Sequence, residues 1–395
     1  MYLGNYLYNV IHHLNEREKP KRCVCKMYPS ILRLFEKGNL KSVFVISDYR
    51  TPEEMKEEFE RFCVAKRYIE PLIARVGEGL WQMRLSRLIE VGEPPTTIRY
   101  DYPFYIIPYL GFWEFHTNVP RDVVDEVLNG LVKFSPKLEH TFIPPEHLMD
   151  LVKEYETDEM LAFMAERDYF TLMKTSQFKI ISDELSLSLR STPQNIWNHY
   201  RKLVEEETIG PLTIKAVRLR ITQAQKECKL SVTTAGGIYQ RSGDKELFEN
   251  VRQRIIQILE KEVEYVRYFP QVTTKLIEKE GAKIIKPEVV QKGASFVIRL
   301  NKALDEEKYE KLKGLFVWNA KNSGFVGIVE DEIKNLSFLV RTTDVKGGGS
   351  ILLKAEVGKD KITMDPLPIT TIRCLQKLYK VILEKFDTKA RLLIS

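Results

Sequence analysis

From Ser191 to Glu207 the chain reads STPQNIWNHYRKLVEEE. At 100° per residue, Pro193, Ile196, Tyr200, Leu203 and Val204 fall on one side of a helix. Gln194, Asn195, Asn198, Arg201 and Lys202 fall on the other. The second stripe holds long amides and cations and no carboxylate. Amides pair bidentately with adenine, and Arg with guanine or phosphate, in the major groove of duplex DNA. Glu205, Glu206 and Glu207 stand only at the C-terminal end, which points away from the bases when a recognition helix docks by its N-terminal half. Lys215, Arg218 and Arg220 follow in a β-branched stretch and suit phosphate contacts. Between residues 174 and 220 there are eight Lys and Arg against five Asp and Glu.

The pattern around the stripe predicts the elements that would hold it. Asp158–Lys174 reads as a helix with Met160, Leu161, Met164 and Phe170 on its apolar side. Ser182 caps a short second helix, with Asp183 and Glu184 in its first turn and Leu185 and Leu189 inward. Ser191 and Thr192 cap the third, with Pro193 in its first turn. Thr208-Ile209-Gly210-Pro211 turns the chain, and Leu212–Ile221 reads as a strand.

Three helices and a β-ribbon are the order of a winged helix-turn-helix. The segment ISDELSLSLRSTPQNIWNHYRKLVEEETIG is similar to the winged-helix domains of archaeal and bacterial transcription regulators. Leu187-Ser188-Leu189-Arg190 stands where that family usually has a Gly in the turn before helix 3. The resemblance implies a cytoplasmic transcription regulator that binds double-stranded DNA as a homodimer. Gln194, Asn195, Asn198, Arg201, Lys202, Lys215, Arg218 and Arg220 would be its DNA-binding residues. The alternative is a protein-protein interaction or scaffold protein whose winged helix is structural. An enzyme is the third reading, with no nucleophile–base pair, phosphate cradle or metal quartet at recognisable spacing to support it.

The rest of the chain reads as α+β. Leu3, Leu7, Val10, Ile11 and Leu14 recur at helical spacing, and residues 1–48 could form an N-terminal winged helix with Ser42–Ser47 as its wing. Residues 43–150 form an α/β unit. Thr51 and Pro52 open a helix, Ile69–Val76 and Leu80–Leu85 are strands joined at Gly77-Glu78-Gly79, and an insertion precedes a strand at Phe112–His116. A helix after Asn118 and Pro120 and a strand at Leu138–Ile143 complete it. This order resembles a ferredoxin-like sandwich. With the N-terminal helices, it resembles the feast/famine (leucine-responsive) regulators, which implies a small-molecule effector. Residues 151–225 are the winged helix-turn-helix. Residues 226–395 are a long helix from Asp244 to Tyr268 and a second α/β domain.

Composition sets the bounds. The 395 residues are 44% hydrophobic and 29% charged with a net charge of +6, an ordinary globular balance in which nucleic acid is a permitted partner. The most apolar window, Tyr102–Trp113, holds two prolines and falls short of the roughly 20 residues a membrane helix needs. No basic start precedes MYLGNYLYNVIHHL, so no secretory leader is expected. Cys23, Cys25, Cys63, Cys228 and Cys374 are scattered and odd in number, which suits a reducing compartment. His12, His13, Cys23 and Cys25 lack zinc-finger spacing, and His116, His140 and His147 lack a partner placed by spacing. No metal or cofactor is expected. Gly347-Gly348-Gly349-Ser350 follows a Lys and precedes a strand, so it reads as a hairpin turn, not a phosphate loop. The aromatic run from Tyr100 to Phe115 reads as packing. No repeat of 20–50 residues is visible.

Overall fold

A computed structural model describes residues 38–93, 95–164, 186–190, 198, 212–265, 269–279, 282–291, 293–317, 323–333, 337–387 and 389–394. Among them are nineteen strands, paired antiparallel throughout, and six α-helices. None of these helices is long and apolar enough to cross a membrane. The chain divides into two compact units between Val263 and Glu264, whereas the sequence pattern placed boundaries near 150 and 225.

The first unit opens with β1 (Lys41–Ser47), whose Val-Phe-Val-Ile centre is buried on both faces. Thr51 and Pro52 begin a 3-10 turn that runs into α1 (Lys56–Ala65). A four-stranded meander follows: β2 (Ile69–Gly77), β3 (Leu80–Val91), β4 (Thr96–Pro108) and β5 (Phe112–Thr117). The insertion expected before Phe112 is thus itself a strand, β4. α2 (Arg121–Phe134) and the short β6 (Leu138–His140) close the block. Phe59, Phe62 and Cys63 of α1 and Val124, Val127 and Leu131 of α2 pack onto Val45, Met83, Leu85, Phe104, Trp113 and Phe115 of the sheet. The aromatic run is thus divided between β4 and β5, and Tyr102, Phe104, Trp113 and Phe115 from it pack in this core. β1 is a central strand, bonded to β5 on one side and to β6 and β11 on the other, so Ser42–Ser47 is not a wing.

The same sheet continues with α3 (Pro145–Glu154), β7 (Glu156–Met164), β8 (Ser186–Arg190), β9 (Leu212–Gln223), β10 (Lys226–Thr233), β11 (Gly237–Gly243) and α4 (Lys245–Glu264). The strand order is β2-β3-β4-β5-β1-β11-β10-β9-β7-β8. Asp244 caps α4 as expected, its carboxylate accepting from the amides of Glu246 (2.8 Å) and Leu247 (3.2 Å). Two expected helices are strands where the structure describes them. Glu156–Met164 pairs with β9 on one side and β8 on the other. Ser186–Arg190, where a helix containing Leu189 was expected, is β8. The reason lies in the sequence: Ser-Leu-Ser-Leu alternates with period two, and pairing to β7 favours the extended form over any local capping preference.

The second unit holds the hairpin β12 (Gln271–Lys279) and β13 (Ala282–Gln291), then β14 (Phe296–Arg299), α5 (Glu306–Val317), β15 (Phe325–Ile333), β16 (Ser337–Asp344), β17 (Ser350–Glu356), β18 (Lys361–Pro366), α6 (Ile372–Lys385) and β19 (Arg391–Ile394). Its main sheet runs β15-β16-β17-β18-β14-β19. That is the order of β2-β3-β4-β5-β1-β6 in the first unit, element for element, helices included. Lys41–His140 and Phe296–Ile394 are two copies of one β-α-β-β-β-β-α-β topology. Gly347-Gly348-Gly349 is the β16–β17 turn, with Gly348 at φ +71°. Gly347 has no side chain to spare: a Cβ there would overlap the Arg373 guanidinium of α6.

Candidate nucleic-acid interface

Of the residues expected to read bases, only Asn198 falls within the described structure. It is helical and exposed. Gln194, Asn195, Arg201 and Lys202 lie outside the described residues, as do His12, His13, Cys23 and Cys25. Lys215, Arg218 and Arg220 lie on β9, between β10 and β7, and each is half-buried. They occupy an interior strand and not a free ribbon. Arg220 has Glu227 at 3.9 Å, and its register partners are Lys229 and Glu156. Sheet neighbours therefore flank the three strand cations on both sides.

A second constellation is invisible in the sequence. Ser42 on β1, Glu114 and His116 on β5 and Arg252 on α4 converge on the face of the sheet opposite α1 and α2. Ser42 Oγ lies 2.9 Å from His116 Nδ1, and His116 Nε2 lies 2.9 Å from Glu114 Oε1. A serine, an imidazole and a carboxylate in series are the parts of an acyl-transfer relay. Here the series is locked. Arg252 donates from Nε to Glu114 Oε1 and from Nη2 to Oε2, both at 2.6 Å. It also donates from Nη2 to Tyr109 Oη (2.9 Å) and from Nη1 to Glu249 (2.8 Å). Ser42, Glu114, His116 and Arg252 are all 0% exposed. Burial on its own would raise the Glu114 carboxyl, but the charges of Arg252 and His116 outweigh it and hold the group well below the usual carboxylate range. The Tyr109 phenol is driven up by burial and by the Glu114 charge. The constellation ties α4 to the sheet. Residues 42, 114, 116 and 252 meet only through sheet order, so no spacing rule finds them.

Among the described residues, no three His, Cys, Asp or Glu side chains are grouped to hold a metal ion. His147 on α3 is half-buried, and burial lowers its pKa.

The C-terminal copy differs from the N-terminal one on the sheet face away from its helices. In the first copy that face is filled: Phe44 and Ile46 of β1 and Phe112 of β5 are no more than 1% exposed, like the buried ion pair beside them. In the second copy the helix-side residues are equally buried, with Phe296 and Ile298 on β14 and Ile362 and Met364 on β18. Alternation puts Val297, Arg299, Lys361 and Thr363 on the other face, and these are exposed or half-exposed. The register sets Lys361 and Arg391 on either side of Arg299, one cation on each of three adjacent strands. All three are exposed. Nearer β15 the cations meet carboxylates, Arg341 with Glu330 at 2.5 Å and Lys354 with Glu356 at 3.1 Å.

No protein-family model matches the chain, and no curated protein matches it by sequence.

Proposed function

We propose that the chain is a non-catalytic, sequence-specific double-stranded DNA-binding protein, a transcription regulator whose amide-and-cation stripe around Asn198 would read the major groove. One observation carries the reading: Asn198, at the centre of the amide-and-cation stripe, is exposed on a helical turn. A stripe built for the core would have buried it. In this reading Asn198, Gln194 and Asn195 read base edges, and Arg201 and Lys202 flank them on guanine or phosphate. Two-fold pairing of chains would then present two such helices to half-sites one or more helical turns apart.

The test is selection of bound duplexes from a random pool, followed by affinity measurements on the selected site and on a scrambled one. Asn198→Ala is expected to weaken the selected site by about 1–3 kcal/mol and to leave the scrambled one nearly unchanged. Equal losses on both would remove base reading from Asn198. Absence of duplex binding by the unsubstituted chain at about 50 mM salt would remove the whole reading.

A further inference from the structure

We infer that the outer end of the β3–β4 ribbon is where two copies of this chain pair, β4 edge against β4 edge, about a two-fold axis at Tyr100. The contact needs no nucleic acid and stands apart from the DNA-binding reading. It begins with an uncovered edge. β3 and β4 are paired from Trp81–Ile106 out to Val91–Thr96. β2 covers β3 no farther than Ser86, and β5 covers β4 only from Tyr105 to Pro108. Beyond those points the two strands continue alone, and a lone two-stranded ribbon is marginal in water. Among the described residues, no strand lies beside β4 on its β5 side from Thr96 to Tyr102. That stretch reads Thr-Thr-Ile-Arg-Tyr-Asp-Tyr, without the Pro, Gly or Lys that blunt an exposed edge. Thr96 to Asp101 are all exposed, and the register sets Ile98 and Tyr100 on one face with the exposed Ile89 and Val91. The C-terminal copy supplies the control. There the β16–β17 hairpin turns at once on Gly347-Gly348-Gly349, and both strands are flanked by β15 and β18.

The chemistry of the edge selects the occupant. From the β5 side, Thr117 Oγ1 donates to the Pro103 carbonyl at 2.7 Å. Alternation then turns the backbone N–H and C=O of Thr97, Arg99 and Asp101 to that same side. A two-fold axis perpendicular to the sheet can centre the pairing on Arg99, Tyr100 or Asp101 and still overlap most of the open stretch. Centring on Arg99 sets that cation against itself, and centring on Asp101 sets that acid against itself; like charges directly opposed are unfavourable. Centring on Tyr100 sets each Arg99 against the partner's Asp101, Tyr100 against the partner's Tyr100, and Ile98 against the partner's Tyr102. The edge is thus complementary to itself, so a second copy fits it. Both charges already have partners in their own copy. Arg99 donates to Glu70 at 2.7 and 2.6 Å and to Asp101 at 2.9 Å, and Asp101 accepts from Ser86 at 2.5 Å. Nearby, Arg87 pairs with Glu126 of α2, and Glu90 stands opposite Thr97 on β3, one strand back from the contact. The charges therefore choose the register. The drive is the backbone ladder between Arg99 and Asp101 of the two copies and the burial of Ile98 and Tyr100.

The test is sedimentation equilibrium of the full-length chain without nucleic acid, over about 1 to 100 μM, where a monomer–dimer equilibrium is expected. Arg99→Asp opposes an acid to the partner's Asp101, and Asp101→Arg opposes a cation to the partner's Arg99. Each variant alone is expected to weaken the dimer at least about tenfold. An equal mixture of the two restores opposite charges at both positions and is expected to return to within about threefold of the unsubstituted affinity. Damage to the fold of either variant cannot produce that recovery. Tyr100→Cys gives a second readout. On the axis, at a pair without ladder hydrogen bonds, the two Cα atoms lie about 4.5 Å apart, within disulfide reach. Mild oxidation is expected to yield a covalent dimer. Ile98→Cys is expected to yield none beyond that of the unsubstituted chain, because its two copies lie about 13 Å apart along the strands. A chain that stays monomeric, a dimer that neither charge variant weakens, failure to recover on mixing, or equal cross-linking from positions 98 and 100 would each overturn the pairing. A chain that dimerises in this way but binds no duplex keeps the pairing and loses the DNA-binding reading; one that binds duplex as a monomer does the reverse.

Discussion

The Glu114–Arg252 pair shows what a buried charge does when its partners are complete. Both side chains are fully buried, and the guanidinium meets both carboxylate oxygens at 2.6 Å. Removing one partner from such a pair strands the other charge in a low-dielectric site. Arg252→Met is therefore expected to lower stability by about 3–5 kcal/mol, and Arg252→Met with Glu114→Gln to recover a large part of that loss. Urea unfolding of the two variants checks it; a double variant no more stable than the single one would mean that α4 is held by its apolar face alone. Glu262, also on α4, is the opposite case. Burial, with the Glu146 charge beside it, pushes its carboxyl up to about 7. In the unfolded chain it titrates near the ordinary 4.5. The folded form thus favours the protonated acid. Its contribution is complete below about 4.5 and is lost as the pH rises through about 7. Glu262→Gln is expected to stabilise the protein at pH 8 by on the order of 3 kcal/mol relative to its effect at pH 4.5. Unfolding curves at the two pH values read this directly, and a pH-independent difference would contradict it.

Elements were legible where one amphipathic pattern had one local solution. α2 and α4 follow their apolar spacing, and their first turns lie where the sequence signals predicted, after Pro120 and at Asp244. Legibility failed where pairing overrode local preference. Met160, Leu161 and Met164 fit a helix wheel, but β7 gains partners on both edges as a strand. Arg218 and Arg220 looked like a cationic wing because sequence cannot show that β7 and β10 enclose β9. The row Lys361–Arg299–Arg391 was hidden for the same reason: its members are neighbours only through antiparallel register. Of the amide-and-cation stripe, Asn198 lies among the described residues, and it is exposed.

At the scale of the molecule, one topology is used twice. Lys41–His140 and Phe296–Ile394 share element order and sheet order. They also share the helix-side pattern: alternate apolar residues on each strand and two helices to cover them. Each copy buries its own core, with Phe59, Phe104 and Trp113 in the first and Tyr309, Phe338 and Phe316 in the second. Separate cores in separate compact units imply separate cooperative transitions. Calorimetry of the intact chain is therefore expected to show a total enthalpy larger than the van't Hoff enthalpy of either step. Arg252→Met offers a marker, because Glu114, Glu249 and Tyr109, which Arg252 binds, lie in the first unit. It should move one transition downward and leave the other in place. A single two-state transition that shifts as a whole would show that the two units unfold as one.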